Sequence, residues 1–550
     1  MRVALAQINP TVGDLAGNRK KIEEAAARAA EARAELVVLP ELSLTGYPPL
    51  DLVERDGFVR DQLRELDALA AASHGVAIAV GAVLPIERRE GKQLQNAAVL
   101  LAAGKRILAQ PKTHLPTYDV FDEKRYFAPA EERTPVALPS GARVGLTVCE
   151  DGWVDRVGYR ADPTGELAHA GAQLVANLSA SPWHAGKPLE LRRIFCDLAA
   201  KRSVPIAFCN QVGGNDELIF HGGSFVADAR GRVLAALPLF EPAFAVVDVA
   251  DPSRAASAIA PDAVVEPDRI AQLEAALVLG IRDYFAKQGL PPGAVIGLSG
   301  GIDSALTAHL AVEALGRDKV TGVAMPGPFS SDHSIEDAHA LAKNLGIAIR
   351  TVDIRPIYES YRRVFAELFG AKDNYGLAQQ NIQSRIRGAT LMAISNAENR
   401  LVLATGNKSE LSMGYCTLYG DTVGGIAVIG DVYKRDVYAL SRFANRTRAI
   451  IPWRTIEKPP SAELAPNQKD SDDLPEYAVL DAVLEQAIEG ERAAPLITPP
   501  PGTTRETVAG IVRRVDRNEY KRRQAPLVLR VSTKAFGSGR KLPIVHRYQL

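Results

Sequence analysis

Cysteine is scarce: the 550 residues contain four, Cys149, Cys196, Cys209 and Cys416, and no C-x-x-C pair. That excludes a disulfide framework and a four-thiolate zinc site, so each cysteine needs its own explanation. Net charge is missing as well. The 65 Lys and Arg balance 65 Asp and Glu, which removes the positive footprint of a protein that binds nucleic acid over its whole surface. No run approaches the roughly 18 apolar residues of a membrane span. The opening MRVALAQINP lacks the apolar stretch and small-residue cleavage site of a secretory signal. A cytoplasmic chain is expected, with no nucleic acid and no membrane among its partners. Short-period repeats are absent too. What is present is ordinary, 47% hydrophobic and 24% charged residues. At roughly 150 residues per domain the length suits three or four domains, or two large ones.

Hydrophobic periodicity separates two halves of different construction. Apolar runs at 3–6 and at Leu36–Leu39 flank a helical pattern at about 16–33, and VAIAVGAVL, NAAVLL, RILAQP, VGLTVC, LVANLS, PIAFCN and SFVADA follow. These predict strands with helices between some of them. From Ala250 the sequence ADPSRAASAIAPDAVVEP loses periodicity and gathers Pro, Ser and Ala. This places a first domain at 1–249, a linker at 250–264 and a second domain at 265–550. The second opens with the helical DRIAQLEAALVLGIRDYFAK and then alternates strands (AVIGL, KVTGVAM, AIRTVDI, LVLATG) with helices (SIEDAHALAKNLG, QSRIRGATLMAISNAEN). Such alternation argues for a parallel sheet covered on both faces. The Pro-, Asp- and Ser-rich KPPSAELAPNQKDSDDLPEY at 458–477 reads as a long loop able to serve as a lid.

In the second half, Gly297-Leu298-Ser299-Gly300-Gly301-Ile302-Asp303-Ser304 follows a strand and opens a helix. Small residues allow close backbone approach, and free N–H groups at a helix start hold anionic oxygens, so the loop suits phosphate or pyrophosphate. It has neither the Walker A lysine nor the G-x-G-x-x-G spacing of a dinucleotide fold. Its S-G-G-x-D-S core resembles the signature of the ATP pyrophosphatases, which adenylate a carboxylate or carbonyl and release pyrophosphate. Gly297 through Ser304 would then contact ATP. Asp303 becomes an expected Mg2+ ligand, because a hard cation on phosphate oxygens needs a neighbouring carboxylate. Asn381-Ile382-Gln383-Ser384-Arg385, Leu403-Ala404-Thr405-Gly406-Asn407-Lys408-Ser409-Glu410, Gly414-Tyr415 and Tyr419-Gly420-Asp421 resemble the NAD synthetases. The resemblance implies a doubly wound, Rossmann-like parallel-sheet domain in which Thr405 contacts ATP. Glu410 would lie near Mg2+ and deamido-NAD. Asn381 and Lys521, the latter in Asn518-Glu519-Tyr520-Lys521-Arg522, would contact that dinucleotide, and 458–477 would cover the ATP site.

In the first half Glu41 follows LVVLP, Lys112 follows RILAQP and Cys149 follows VGLTV. Side chains at strand ends are held rigidly yet reach a cleft, so the three can meet at one rim of a sheet. Amide hydrolysis by a thiol needs a base, a cation for the oxyanion and a nucleophile, and Glu41, Lys112 and Cys149 fit those roles in that order. Taken singly, a Glu and a Lys are usually on the surface and a lone cysteine is usually a small buried apolar group. The surrounding Leu39-Pro40-Glu41-Leu42-Ser43-Leu44-Thr45-Gly46-Tyr47-Pro48, Lys112-Thr113-His114-Leu115-Pro116 and Val148-Cys149-Glu150-Asp151 resemble the nitrilase superfamily. Its fold is an αββα sandwich carrying a Glu-Lys-Cys triad.

GYPPLDL and VFDEKRYF are similar to the glutaminase domain of the glutamine-dependent NAD synthetases. By that resemblance Tyr118, Ser181 and Lys187 contact glutamine, with Ser179 a close competitor for Ser181. The family often shows Pro-Tyr after this serine; here Pro182-Trp183-His184 follows, which bears on glutamine affinity rather than on the chemistry. Glu123 either orients the lysine or is a solvated carboxylate at a turn. Cys196, Cys209 and Cys416 read as packing, and His114 and His221 as structural.

The two resemblances together imply a two-site enzyme in the last step of NAD biosynthesis. Cys149 would release ammonia from glutamine, while ATP would adenylate the nicotinate carboxylate of deamido-NAD and ammonia would displace AMP. Free ammonia would also serve as nitrogen source. Ammonia in neutral water is largely protonated, so a dry passage between the sites is expected, lined from this chain and a neighbouring subunit of a homo-oligomer. The alternative is another pyrophosphatase-loop amidotransferase acting on a purine nucleotide. tRNA thiolation is disfavoured by the lack of paired cysteines and basic runs, and a ligand-sensing module by the presence of every reactive group in both halves.

Overall fold

The computed structural model describes residues 1–87, 90–249, 258–290 and 293–547. The chain divides into two compact units, Met1–Pro267 and Asp268–Leu550. Residues 250–257 of the expected linker lie outside the described residues. Beyond them Ile259 exchanges backbone hydrogen bonds with Val233, and Asp262 and Glu266 pair with Arg193 and Arg192, which holds this stretch on the first unit.

The first unit stacks two six-stranded sheets. One runs Ala243–Asp248, Arg2–Gln7, Leu36–Val38, Ala77–Pro85, Leu94–Ala102, Lys105–Pro111. The other runs Val233–Ala236, Phe225–Ala227, Ile206–Asn210, Leu174–Ser179, Arg143–Val148, Val136–Ala137. Alternation along each strand sorts the side chains into layers. In the first strand Val3 and Leu5 enter the core between the sheets with Leu100, Leu146, Val148 and Leu178. Ala4 and Ala6 face outward against Ile22, Ala29, Leu66 and Leu69 of the helices Leu15–Glu31 and Phe58–Ala72. Helices Pro163–His169 and Lys187–Arg202 cover the second sheet through Leu167, Leu191, Phe195 and Leu198. This is the expected αββα sandwich. Its helices begin where a short acidic side chain satisfies orphan N–H groups: Asp14 accepts from Gly17 N, and Asp162 from Gly165 N with Pro163 in the first turn. The first and last strands of the sandwich, Arg2–Gln7 and Ala243–Asp248, are antiparallel partners.

The second unit contains a six-stranded sheet in the order Ala348–Thr351, Val320–Ala324, Ala294–Gly297, Leu401–Ala404, Ile426–Ala427, Leu527–Val528. Every neighbouring pair is parallel. The order runs outward in both directions from the boundary between Ala294–Gly297 and Leu401–Ala404. That makes a doubly wound sheet with a crevice at the strand carboxyl ends, as the sequence predicts. Lys408, fully buried, ties the crevice to the chain's last segment: its Nζ lies 2.9 Å from Asp431 Oδ1, 2.7 Å from Ser532 Oγ and 2.9 Å from Lys534 O. Asp431 in turn accepts from the N–H groups of Val531 and Ser532, both at 2.7 Å. Among the described residues, no helix is long and apolar enough to cross a membrane.

Candidate active sites

Glu41, Lys112 and Cys149 arrive from three different strands of the first unit, Leu36–Val38, Lys105–Pro111 and Arg143–Val148, and all three are buried. Gly81 makes the approach possible, since a Cβ there would stand 2.0 Å from Leu42 N. Lys112 Nζ donates to Glu41 Oε1 and to Glu123 Oε1, both at 2.7 Å. Asn96 Nδ2 donates to Glu41 Oε1 at 2.6 Å, Ala180 N to Glu41 Oε2 at 3.1 Å and the Tyr47 hydroxyl to Glu123 Oε1 at 2.8 Å. Glu123 therefore orients the lysine rather than facing water. Burial opposes the Lys112 charge, but Glu123 and Glu41 outweigh it and hold the ammonium well above its ordinary range. Burial pushes Glu123 up, Lys112 offsets part of that, and Glu41 adds to it.

Cys149 opens the turn Cys149–Gly152 with φ at 42°, in the left-handed region that a side chain rarely occupies. Burial pushes its thiol well up, Glu41 pushes the same way, and Lys112 pulls back. One buried carboxylate clasps the two segments that carry the lysine and the thiol. Asp151 Oδ2 accepts from Val148 N at 3.0 Å, and Oδ1 from Thr113 N and His114 N at 2.9 Å each.

Beside the thiol, Glu150 takes the Tyr118 hydroxyl on both oxygens at 3.0 Å and the Tyr159 hydroxyl at 2.9 Å. Tyr159 stacks on His114 with ring centroids 3.9 Å apart. Lys187 lies 4.1 Å above the Trp153 ring and 3.2 Å from Glu190. The Ser181 N–H is fixed by Asn210 Oδ1 at 2.8 Å. Its competitor Ser179 instead spends its hydroxyl on Asn177 Oδ1 at 2.7 Å, within the sheet. Cys196 and Cys209 are core residues. Burial pushes His221 down to about 3, so it is a neutral ring among core side chains.

The second unit holds a cleft of about 760 Å³. Its wall includes Gly297, Leu298, Ser299, Gly301, Ile302, Asp303, Ser304, Asn381, Thr405, Glu410 and Lys521. Gly300 is not part of that wall: with φ at +76° and Ser334 O 2.3 Å from where its Cβ would be, it turns the loop against a neighbouring helix. The loop is cross-tied by its own hydroxyls, Ser304 Oγ reaching Gly301 O at 3.0 Å and Ser299 Oγ at 3.2 Å. Asp303 accepts from Asn407 Nδ2 at 2.8 Å and from Lys434 Nζ at 2.6 Å, and Lys434 Nζ also lies 3.5 Å from Glu410 Oε1. Burial pushes Glu410 up to about 8, the Asp303 charge adds to this and Lys434 counters it. Asn381 accepts from Thr417 Oγ1 at 2.9 Å, while Lys521 Nζ donates to Gly414 O at 2.7 Å and Cys416 O at 2.9 Å.

Part of 458–477 closes one side of this cleft, including Glu463, Leu464 and Asp470. Glu463 holds it there, accepting from Ser331 N (3.2 Å), Ser331 Oγ (2.9 Å) and Ser334 Oγ (2.8 Å) at the start of helix Asp332–Leu345. Cys416 is half-buried on the cleft wall as well as packing against the core beside it. Residues that sequence reasoning passed over are Asn96, Tyr47 and Asp151 in the first unit and Asn407, Lys434 and Glu463 in the second. Tyr47, Asp151 and Asn407 lie inside the motifs already quoted and Glu463 inside the 458–477 segment; Lys434 carries no local signal.

Two family models match in tandem, one described as carbon-nitrogen hydrolase at residues 2–258 and one as NAD synthase at 273–525. The glutamine-dependent NAD(+) synthetase of Synechocystis sp. is 46% identical over 99% of each chain. That of Thermotoga maritima is 41% identical over 100% of this chain and 99% of its own. A solved glutamine-dependent NAD+ synthetase from Acinetobacter baumannii, in complex with adenosine diphosphate, superposes with a TM-score of 0.76 at 35% identity, covering 99% of this chain and 98% of that one. With a glutaminase-type triad in one unit, a nucleotide-type loop in the other and relatives matched from end to end, the chain belongs to the glutamine-dependent NAD(+) synthetases.

Proposed function

We propose that Glu41, Lys112 and Cys149 hydrolyse glutamine in the first unit and that the second unit's cleft uses the ammonia to convert deamido-NAD to NAD with ATP. The observation that carries the reading is the pairing of two complete chemistries in one chain. One is a buried thiol beside a carboxylate–ammonium pair; the other is a helix-start loop sharing a cleft with two carboxylates.

Because burial keeps the Cys149 thiol protonated, attack needs a base, and Glu41 is the carboxylate whose charge acts on it most strongly. Glu41 takes the thiol proton, sulfur adds to the side-chain amide carbon, and Lys112 steadies the oxyanion. Glu41 then returns the proton to the departing ammonia, and water cleaves the thioester. Glu150, presented by two tyrosine hydroxyls, suits the α-ammonium of glutamine, and Lys187 its α-carboxylate. In the cleft, the N–H groups and hydroxyls of Ser299–Ser304 suit the phosphates of ATP. Asn381, Glu410 and Lys521 suit deamido-NAD.

Asp303 and Glu410 would hold Mg2+. A hard cation on phosphate oxygens typically takes one or two carboxylates and completes its shell with phosphate and water. When bound, the ion would neutralise phosphate charge as pyrophosphate leaves. The ADP complex of the A. baumannii relative supports an adenine nucleotide here. A homo-oligomer is supported by exposed apolar side chains on helix Arg355–Phe369, Leu368 and Phe369 among them. A cytoplasmic location suits a chain whose cysteines are unpaired and include a nucleophile.

The test is NAD formation from deamido-NAD and ATP by wild type and Cys149→Ala, with glutamine or ammonium salt. Loss with glutamine and survival with ammonium is expected. Absence of NAD from wild type with either source would overturn the reading.

A further inference from the structure

We propose that Arg387 is a specificity residue of the second unit, donating from its guanidinium to a ring nitrogen of adenine; the inference rests on the ATP reading above. Helix Leu377–Glu398 presents Asn381, Ser384, Arg387 and Leu391 to the cleft, a spacing that keeps them on one face. At a rise of 1.5 Å per residue, Leu391 stands about 15 Å along the helix from Asn381. The cleft wall therefore runs along this helix from the Asn381 side towards Leu391.

The loop Ser299–Ser304 defines where phosphates go, so the base lies away from that helix start. Beside Gly297 the surface is apolar: Leu391 Cδ1 and Met325 Cε come to 3.3 and 3.4 Å of the position its Cβ would occupy. With no side chain at Gly297, Leu391 and Met325 close over it as an apolar stretch of cleft wall, suited to the face of a purine. Arg387 borders that stretch, one helical turn before Leu391.

The guanidinium is anchored at one nitrogen. Its Nε donates to Met325 O at 3.1 Å. No carboxylate among the described residues comes within ion-pair distance of it, whereas Lys434, Lys458 and Arg514 on the same cleft wall each pair with one. Burial lowers its pKa to about 10, with Glu463 acting only through space to raise it. A donor-only group on the cleft wall has N–H bonds to offer a ligand, and a purine edge offers ring nitrogens to receive them. Gly327 sets the guanidinium's position, since a Cβ there would stand 2.9 Å from Arg387 Nη2.

The experiment uses the full chain with ammonium as nitrogen source, so that the first unit does not contribute. Steady-state kinetics compare wild type, Arg387→Met and Gly327→Ala with ATP and with 1-, 3- and 7-deaza-ATP. Arg387→Met is expected to raise KM for ATP about tenfold to a hundredfold and to leave KM for deamido-NAD unchanged. Removing one particular ring nitrogen should cost wild type a similar factor and cost Arg387→Met nothing further. Gly327→Ala displaces the guanidinium without removing its charge and should raise KM for ATP in the same direction. A rise in KM for deamido-NAD in place of ATP would overturn the proposal, as would strict additivity of the substitution with all three analogues. If wild type itself makes no NAD from ATP and ammonium, it is the function reading that fails.

Discussion

Asp151→Asn tests whether the clasp between the Lys112 and Cys149 segments is required for catalysis or only for folding. The carboxylate serves three backbone donors with two oxygens. Asparagine keeps one acceptor, which can retain the Thr113 and His114 pair. Its amide nitrogen then confronts Val148 N, donor against donor. One buried N–H is left unsatisfied, at a cost of about 1–3 kcal/mol. For a unit of this size a loss near 2 kcal/mol lowers its melting temperature by roughly 4–8 °C. The functional effect is larger, because Val148 precedes Cys149, whose φ of 42° persists only while its neighbours impose it. Displacement of the thiol by about 1 Å costs roughly a hundredfold in rate. The assay is NAD formation with glutamine and with ammonium in parallel, at a temperature where the variant is folded. Glutamine-dependent kcat/KM should fall about a hundredfold while the ammonium-dependent rate stays at wild type. A variant that melts earlier yet hydrolyses glutamine normally would refute the argument.

Lys112→Met leaves Glu41 and Glu123 buried without a cation, which should cost the first unit about 3–5 kcal/mol. Burial raises Glu123 and Lys112 offsets part of that, so without the lysine Glu123 binds more protons folded than unfolded and stability should fall as pH rises from 5 to 8, more steeply than in wild type, by thermal melts. In the proposed role of Mg2+ ligand, Glu410, pushed up to about 8 by burial and Asp303, would have to lose its proton on binding. Mg2+ affinity of the second unit should therefore climb with pH up to about 8 and level off, and calorimetry of Glu410→Gln should show no such climb. Glu463→Gln removes the charge that latches 458–477 to a helix start, worth about 1 kcal/mol. KM for ATP should rise about fivefold, and proteolysis between 461 and 468 should quicken; unchanged cleavage would show that the latch does not hold the segment.

What could be read from residues in a row differs in kind from what could not. Glu41, Lys112 and Cys149 each sit directly after an apolar run, and a strand end advertises itself locally. The same holds for the loop Gly297–Ser304 and for the alternation that makes the sandwich and the doubly wound sheet. Pairings across the fold were silent. Glu123 could be read as a solvated turn residue because its partners, Tyr47 and Lys112, come from other segments. Asn96, in the middle of strand Leu94–Ala102, looks like any polar strand residue until Glu41 is brought against it. Lys434 meets Asp303 across 131 positions. Gly300 adds a further silent pairing: the motif does not tell that its backbone turns the loop tightly against Ser334. The partner of Ser179 is equally silent in the row, since only the sheet brings its hydroxyl to Asn177.

Lys408 sits in the motif that carries Thr405 and Glu410, yet its ammonium pairs with Asp431 and Glu489 and is completed by Ser532 and the Lys534 carbonyl, 124 and 126 positions further on. The first unit repeats the arrangement, with strand Ala243–Asp248 arriving last to cover Arg2–Gln7. On the ribosome each unit therefore waits for its own final segment, since domains fold as units during synthesis. A nascent chain lacking Ala243–Asp248 exposes a sheet edge, and one lacking Ser532 and Lys534 keeps the Asp431 and Glu489 carboxylates on Lys408 but leaves that ammonium short of two hydrogen-bond acceptors beside the nucleotide crevice.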